Sequence, residues 1–267
     1  SGRAPIRSMS RNPDPRPAGA AETVMSARHA FRSEIAYHVV DSAPSSRVKK
    51  PLILHLHGFG QNRTRFEALC RPLLQLDAYH VHVDGLYPVY ERSRPRDVSE
   101  WGRAWYLYDG SKERLRSSLE VASEFLQELV EPLFRLLSPS GMCVNGYSMG
   151  GYLAGYFALT RWKHVTELTA SGCRILHEVV GADGWASRAH LNILALHGEE
   201  DAVVLPGPQQ ESIGVLRSNG LNASMRILPA GHEYSEAHAQ ASVHWMSSLG
   251  YARIASKPGS DAALSET

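Results

Sequence analysis

The chain has 267 residues, 43% of them apolar and 21% charged, with a formal net charge of +1 at pH 7. That length suits one hydrophobic core of sheet and helix, and a charge near zero removes the electrostatic reason to expect nucleic acid or an anionic membrane as partner. Three cysteines, Cys70, Cys143 and Cys173, lie in or near apolar stretches and suit buried free thiols better than a disulfide framework, which points to the cytoplasm. No run is long enough to span a bilayer, and the first 24 residues lack the apolar core of a signal peptide.

In chain order, residues 1–24 mix Arg, Pro and Ser, a composition that cannot bury enough apolar surface to offset its ordering entropy. Residues 251–267 read the same way, leaving one expected domain over 25–250. Within it, short β-branched and aliphatic runs predict strands at Ile35–Val40, Leu52–Leu56, His80–Val83, Met142–Asn145, Val165–Ala170, Asn192–Leu196 and Ser224–Leu228. Amphipathic stretches between them predict helices at Thr64–Gln75, Lys112–Leu137, Gly150–Thr160, Gln209–Ser218 and Ser235–Leu249. This alternation is the signature of an α/β fold, a mostly parallel sheet with helices on both faces.

The strand Met142–Asn145 runs into Gly146-Tyr147-Ser148-Met149-Gly150-Gly151 and then into a helical pattern. A serine nucleophile at the tip of a strand-to-helix turn needs this layout, because the strained turn lifts its hydroxyl clear of the sheet and tolerates no Cβ two positions to either side. Gly146 and Gly150 meet that demand, and Gly150, Ala154 and Ala158 at spacing four let the helix approach the sheet closely.

A serine hydroxyl at its free pKa is a poor nucleophile, so a base and a carboxylate must follow, in the order Ser, acid, His. The strand Asn192–Leu196 ends in His197-Gly198-Glu199-Glu200-Asp201, which places Asp201 at the carboxyl edge of the sheet; one helix and one strand later comes Gly231-His232. Asp201 is preferred as the acid over its neighbours Glu199 and Glu200 and over Asp183, because the loop from Asp201 has the right length and a Val-Val anchor behind it. His232 is preferred as the base because His55 and His82 lie inside strands, His238 and His244 on the last helix, and His57 and His197 just before glycines at strand ends. With no histidine and carboxylate cluster at metal-ligand spacing, the expectation is no metal and no cofactor. Two backbone amides suit an oxyanion hole: Met149, which follows the nucleophile, and Phe59, in the His57-Gly58-Phe59-Gly60 loop after Leu52–Leu56.

These motifs resemble the phospholipase/carboxylesterase branch of the α/β-hydrolases, which includes bacterial carboxylesterases and acyl-protein thioesterases. The resemblance spans Pro51 to Leu249 and rests on HGFG at His57, GYSMGG at Gly146, HGEEDAVV at His197 and GHEYS at Gly231. It implies a serine hydrolase acting on a small-molecule ester, with the triad Ser148, Asp201 and His232. RAWYLYDG, from Arg103 to Gly110, resembles the family's Trp-aromatic segment beside the acyl pocket, so Trp105 and Tyr106, with Gly58 and Gly60, become candidate substrate-binding residues; the two aromatics are equally readable as core anchors. Met149 and Gln61-Asn62 depart from the family's usual Gln and acidic residue, which leaves the choice among carboxylesterase, thioesterase or lysophospholipase, and polyester, acetyl- or feruloyl-esterase open. Only Ser171 to Leu191 separates two strands where many relatives carry a cap, which implies one crossover helix, no large cap domain and an open site for short to medium acyl groups. The excursion Gly85 to Gly110 is the segment able to wall the pocket, and its Arg92, Arg94, Arg96 and Arg103 read as a solvated face. A non-catalytic binding protein of the same fold would be expected to lack a triad member. Oligomeric state is unconstrained.

Overall fold

A computed structural model describes residues 33–254 except 91, 92, 94 and 162. The chain divides into a short unit, residues 1–34, and a large one, Ile35–Thr267; only the large unit is described below. The expected tail at 1–24, Arg92 and Arg94 lie outside the described residues.

The strands β1 (Tyr37–Asp41), β2 (Leu52–Leu56), β3 (Tyr79–Val83), β6 (Met142–Tyr147), β7 (Val165–Ser171), β8 (Asn192–Gly198) and β9 (Asn222–Leu228) form one sheet in the order β1-β3-β2-β6-β7-β8-β9. Only β1 is antiparallel to its neighbour. Two short strands, β4 (Tyr87–Pro88) and β5 (Arg103–Ala104), pair separately within the Gly85 to Gly110 excursion. The helices are α1 (Arg63–Leu69), α2 (Lys112–Leu137), α3 (Met149–Thr160), α4 (Pro206–Ser218) and α5 (Glu236–Ser248).

The central strands read as unbroken apolar runs because both faces are covered. Leu52, Leu54 and Leu56 of β2 pack with Leu119 and Leu126 of α2 and Leu153 and Phe157 of α3. Ile53, pointing the other way, packs with Phe66 of α1 and Val243 and Met246 of α5. From β2 the chain steps to β3 on one side and then crosses back to β6 on the other. The connections therefore diverge at the carboxyl ends of β2 and β6, and an open α/β sheet leaves a crevice at such a reversal.

Three local expectations need correction. The expected helix Thr64–Gln75 breaks at Cys70, continuing as a 3₁₀ turn Arg71–Gln75, because Pro72 lacks an N–H and its ring crowds the preceding turn. Ser171 to Leu191 holds no crossover α-helix but three 3₁₀ turns, His177–Val179, Ala182–Gly184 and Ala186–Arg188. Gly181 and Gly184 weaken helix propensity there, and the buried Arg188 takes up backbone carbonyls instead, with Nε 2.5 Å from Leu159 O and an Nη 2.5 Å from Gly184 O. Finally, Tyr251, expected in the C-terminal tail, is buried and donates its hydroxyl to Glu167 Oε2 at 2.7 Å, while Ile254 N–H donates to Gln75 O.

Candidate active site

Ser148 occupies the turn between β6 and α3 with φ 50° and ψ −119°. A non-glycine residue held there stores strain of roughly 1–3 kcal/mol. Its surroundings enforce it. Ser148 N–H donates to Ser171 O at 2.8 Å, and Ser148 O accepts from Tyr152 N–H at 3.0 Å. A Cβ on Gly146 would stand 2.4 Å from Gly150 O, and one on Gly150 would stand 2.2 Å from Leu56 O, so glycine at both positions is a packing requirement.

The structure brings three of the expected residues into one relay. Ser148 Oγ lies 2.9 Å from His232 Nε2, and His232 Nδ1 lies 2.8 Å from Asp201 Oδ2. His232 sits in the loop after β9, where its carbonyl accepts from Tyr147 O–H at 2.8 Å. The Asp201 side chain is wholly buried. Burial pushes its pKa up, but the hydrogen bonds from His232 and from the backbone N–H groups of Val204 and Val203 outweigh that and hold it below the usual carboxylate range. Those amides occupy Oδ1, at 2.8 and 3.0 Å, leaving Oδ2 to the imidazole. By contrast Glu199, Glu200 and Asp183 are exposed.

One residue absent from the expected site belongs beside it. His197 is fully buried, with Nε2 2.7 Å from Val204 O and 3.5 Å from Asp201 Oδ2, so it clamps the loop that presents the carboxylate. Its signal was visible as a His-Gly pair at a strand end, the same pattern as His57-Gly58.

The second loop is held as tightly. Gly58 N–H donates to Gln61 Oε1, Gly60 N–H to Arg103 O and Gln61 N–H to Gly58 O, at 2.9, 3.0 and 3.2 Å. Phe59 N–H and Met149 N–H find no acceptor among the described residues. Gly58 and Gly60 thus serve the loop's own hydrogen bonds. Phe59 leaves its ring 60% exposed at the same edge.

Trp105 requires a correction, because it is fully buried and offers no surface to a substrate. Its Nε1–H donates to His57 O at 2.8 Å, its N–H approaches Met149 Sδ at 3.4 Å, and its ring leans on His57. It is a core anchor beneath both loops. Tyr106 turns instead into a cavity of about 640 Å³, shared with Leu115 of α2, Tyr152 and Tyr156 of α3, and Arg174 and Leu176 after β7. Walls from α2 and from the loop after β7 were not anticipated, since nothing in their local sequence brings them together. None of Ser148, His232, Phe59 or Met149 lines this cavity, although Tyr152 stands one helical turn from Ser148. No described helix is long and apolar enough to cross a membrane.

The family model described as Phospholipase/Carboxylesterase matches residues 37–249. Among solved structures the chain is similar to a carboxylesterase from Bacillus cereus, at 15% identity over 80% of this chain and 94% of that one, TM-score 0.64. It is similar also to a carboxylesterase from Mesorhizobium loti, at 18% identity over 80% and 94%, TM-score 0.63. A third is acyl-protein thioesterase 2 from Zea mays, at 21% identity over 80% and 98%, TM-score 0.59. Identities this low show the shared fold alone. No curated protein sequence matches. The match over most of its length shows that the chain belongs to the phospholipase/carboxylesterase family of α/β-hydrolases and is a carboxylic ester hydrolase.

Proposed function

We propose that the protein cleaves short- to medium-chain carboxylic esters through an acyl-enzyme on Ser148, with His232 as general base and Asp201 as the acid that orients it. The observation that carries this reading is the unbroken relay of 2.9 and 2.8 Å from Ser148 Oγ through His232 to Asp201. Asp201 accepts the Nδ1–H of His232, so Nε2 is the nitrogen left to take the Ser148 proton as Oγ attacks the ester carbonyl. The same proton passes to the departing alkoxide, and water then repeats the sequence to release the acid. Phe59 N–H and Met149 N–H, without an acceptor among the described residues, supply the oxyanion donors, each typically contributing ~2.7–4 kcal/mol. The three buried, unpaired thiols support a reducing compartment such as the cytoplasm.

A second reading, hydrolysis of long-chain esters or thioesters, is favoured by the cavity of about 640 Å³ beside α3. The short-chain reading is preferred because the lining of that cavity stops one turn short of Ser148. A chain-length series of p-nitrophenyl esters with matched thioesters decides between them. Each methylene that enters an apolar wall contributes ~0.8 kcal/mol, so kcat/KM should climb only to about hexanoyl and then level off. A steady climb from butyryl to palmitoyl supports the second reading.

A further inference from the structure

The sheet carries a second concentration of reactive side chains, far in character from the serine site. His38 of β1, His82 of β3, His55 of β2, Asn145 of β6 and Thr169 of β7 are successive Cα partners across five adjacent strands. Their side chains therefore form one row on the face that α1 covers, and His80, two residues from His82, joins it. From the inner end the row is hydrogen-bonded. Thr169 Oγ1–H donates to Asn145 Oδ1 at 2.7 Å, Asn145 Nδ2–H donates to His55 Nδ1 at 3.1 Å, and His55 Nε2–H donates to His80 Nδ1 at 3.1 Å.

At His82 the wiring stops. Its ring stacks on His55 at 4.3 Å and is 1% exposed, yet neither ring nitrogen has a hydrogen-bond partner among the described residues. Beyond it, His38 Nε2 and Glu67 Oε2 of α1 meet at 2.8 Å and remain about one third exposed. The donor atoms of His38, Glu67 and His82 all lie within 4.8 Å of one another. A buried imidazole with no hydrogen-bond partner among the described residues, beside a carboxylate and a second imidazole, is a donor set of the kind a divalent ion takes.

We propose that His38, Glu67 and His82 bind one divalent transition-metal ion of the zinc class. Two imidazoles and one carboxylate suit Zn²⁺ or Co²⁺ and disfavour Mg²⁺ and Ca²⁺, which take oxygen ligands. Three protein ligands leave a fourth tetrahedral position to water, and the exposure of His38 and Glu67 supplies the entry path. The ion would tie the edge strand β1 and the helix α1 to β3. Its reach extends toward the serine site, because Asn62, directly after the Gly58–Gln61 turn, caps α1, and Arg63 N–H donates to Asp84 just past β3. The ligands come from positions distant in sequence and meet only through the β1–β3 register and the helix above it, which is why spacing along the chain predicted no metal.

The test uses the full chain, freed of metal by chelation and dialysis, titrated with Co²⁺ and separately with Zn²⁺. The expected result is one ion per chain by calorimetry, the visible absorption of tetrahedral Co²⁺, and a higher melting temperature on binding. His38→Ala and Glu67→Gln, both at partly exposed positions where folding is not at stake, should each weaken binding at least about tenfold. The chain has 13 histidines, so adventitious binding elsewhere has to be separated from this site. Absence of tetrahedral Co²⁺ absorption, or one-to-one binding that neither variant weakens, overturns the proposal.

Discussion

His57 and His232, at the carboxyl edge of the sheet, are served differently from the histidines under α1. At the edge, His57 accepts from Gly85 N–H on Nε2 at 2.9 Å and donates from Nδ1 to Gly58 O at 2.7 Å, and His232 has Ser148 on one nitrogen and Asp201 on the other. Under α1, His82 has no hydrogen-bond partner on either nitrogen, and His80 none on Nε2, among the described residues. The difference follows from position along the strand. Past a strand end the chain turns, and its backbone N–H and C=O groups are free of the ladder and available to a side chain. In mid-strand the ladder has taken those groups, so an inward-facing imidazole must find another side chain, or an ion, or go without. A polar row in mid-sheet can therefore be an unfinished site, whereas a polar group at a strand end can be completed by loop backbone alone.

The largest expected effect tests the completed site. Ser148→Ala should abolish labelling by a fluorophosphonate probe and lower kcat by a factor on the order of 10⁶ if it follows the subtilisin pattern. Unchanged turnover by a folded variant removes the serine mechanism. Next, Asp201→Asn should keep the fold and reduce kcat roughly 10⁴-fold, as in trypsin, because Val203 and Val204 N–H hold the amide oxygen at the Oδ1 position, so the NH2 faces Nδ1, donates to it and fixes the wrong tautomer. Asp183→Asn, at an exposed 3₁₀ turn, should leave kcat almost untouched. If Asp183→Asn is the crippling change, the acid has been assigned to the wrong loop.

These edge residues were legible because their signals are local. A strand end, a glycine pair around Ser148, and a His-Gly or Gly-His step each sit within a few residues, and the expected strands fall on the observed ones with ends displaced by only a residue or two. Where the outcome depended on partners distant in the chain, the sequence was ambiguous or silent. Trp105 read equally as wall or anchor, since its burial is set by how the loops after β2 and β6 close over it. The His38–His82–His55 row needed the register of three strands. Pro72, which breaks α1 from the following 3₁₀ turn, was in plain view but was absorbed into an apolar periodicity that runs through it.

Trp105 also gives the next prediction in size. A fully buried indole whose N–H holds His57 O is a stability element, so Trp105→Ala should cost about 3–5 kcal/mol in denaturant unfolding, the usual range for emptying such a site. Any loss of kcat/KM should accompany that loosening and affect short and longer esters alike. A length-specific change in kcat/KM with stability preserved would return Trp105 to the pocket wall.

The smallest effect concerns pH and separates neutral buried imidazoles from ordinary ones. Burial pushes His57 and His238 down to about 4, and both lie outside the row under α1. In the unfolded chain the same rings take up protons near 6.5. Between about pH 6.5 and 4 the unfolded state therefore binds protons that the folded state does not, and stability must fall as pH falls across that window. The slope is ~1.4 kcal/mol per pH unit for each ring, and the contribution is fully present above the window. His238 Nδ1 accepts from Ser235 at the start of α5, at 3.3 Å from its N–H, so His238→Gln removes one titrating ring and weakens that cap. Unfolding free energies measured in chelator at steps from pH 7.5 to 4.5 should show His238→Gln less stable at neutral pH but with a shallower decline toward acid. A variant whose decline is as steep as the wild type's would mean that His238 does not enter the folded state as a neutral ring.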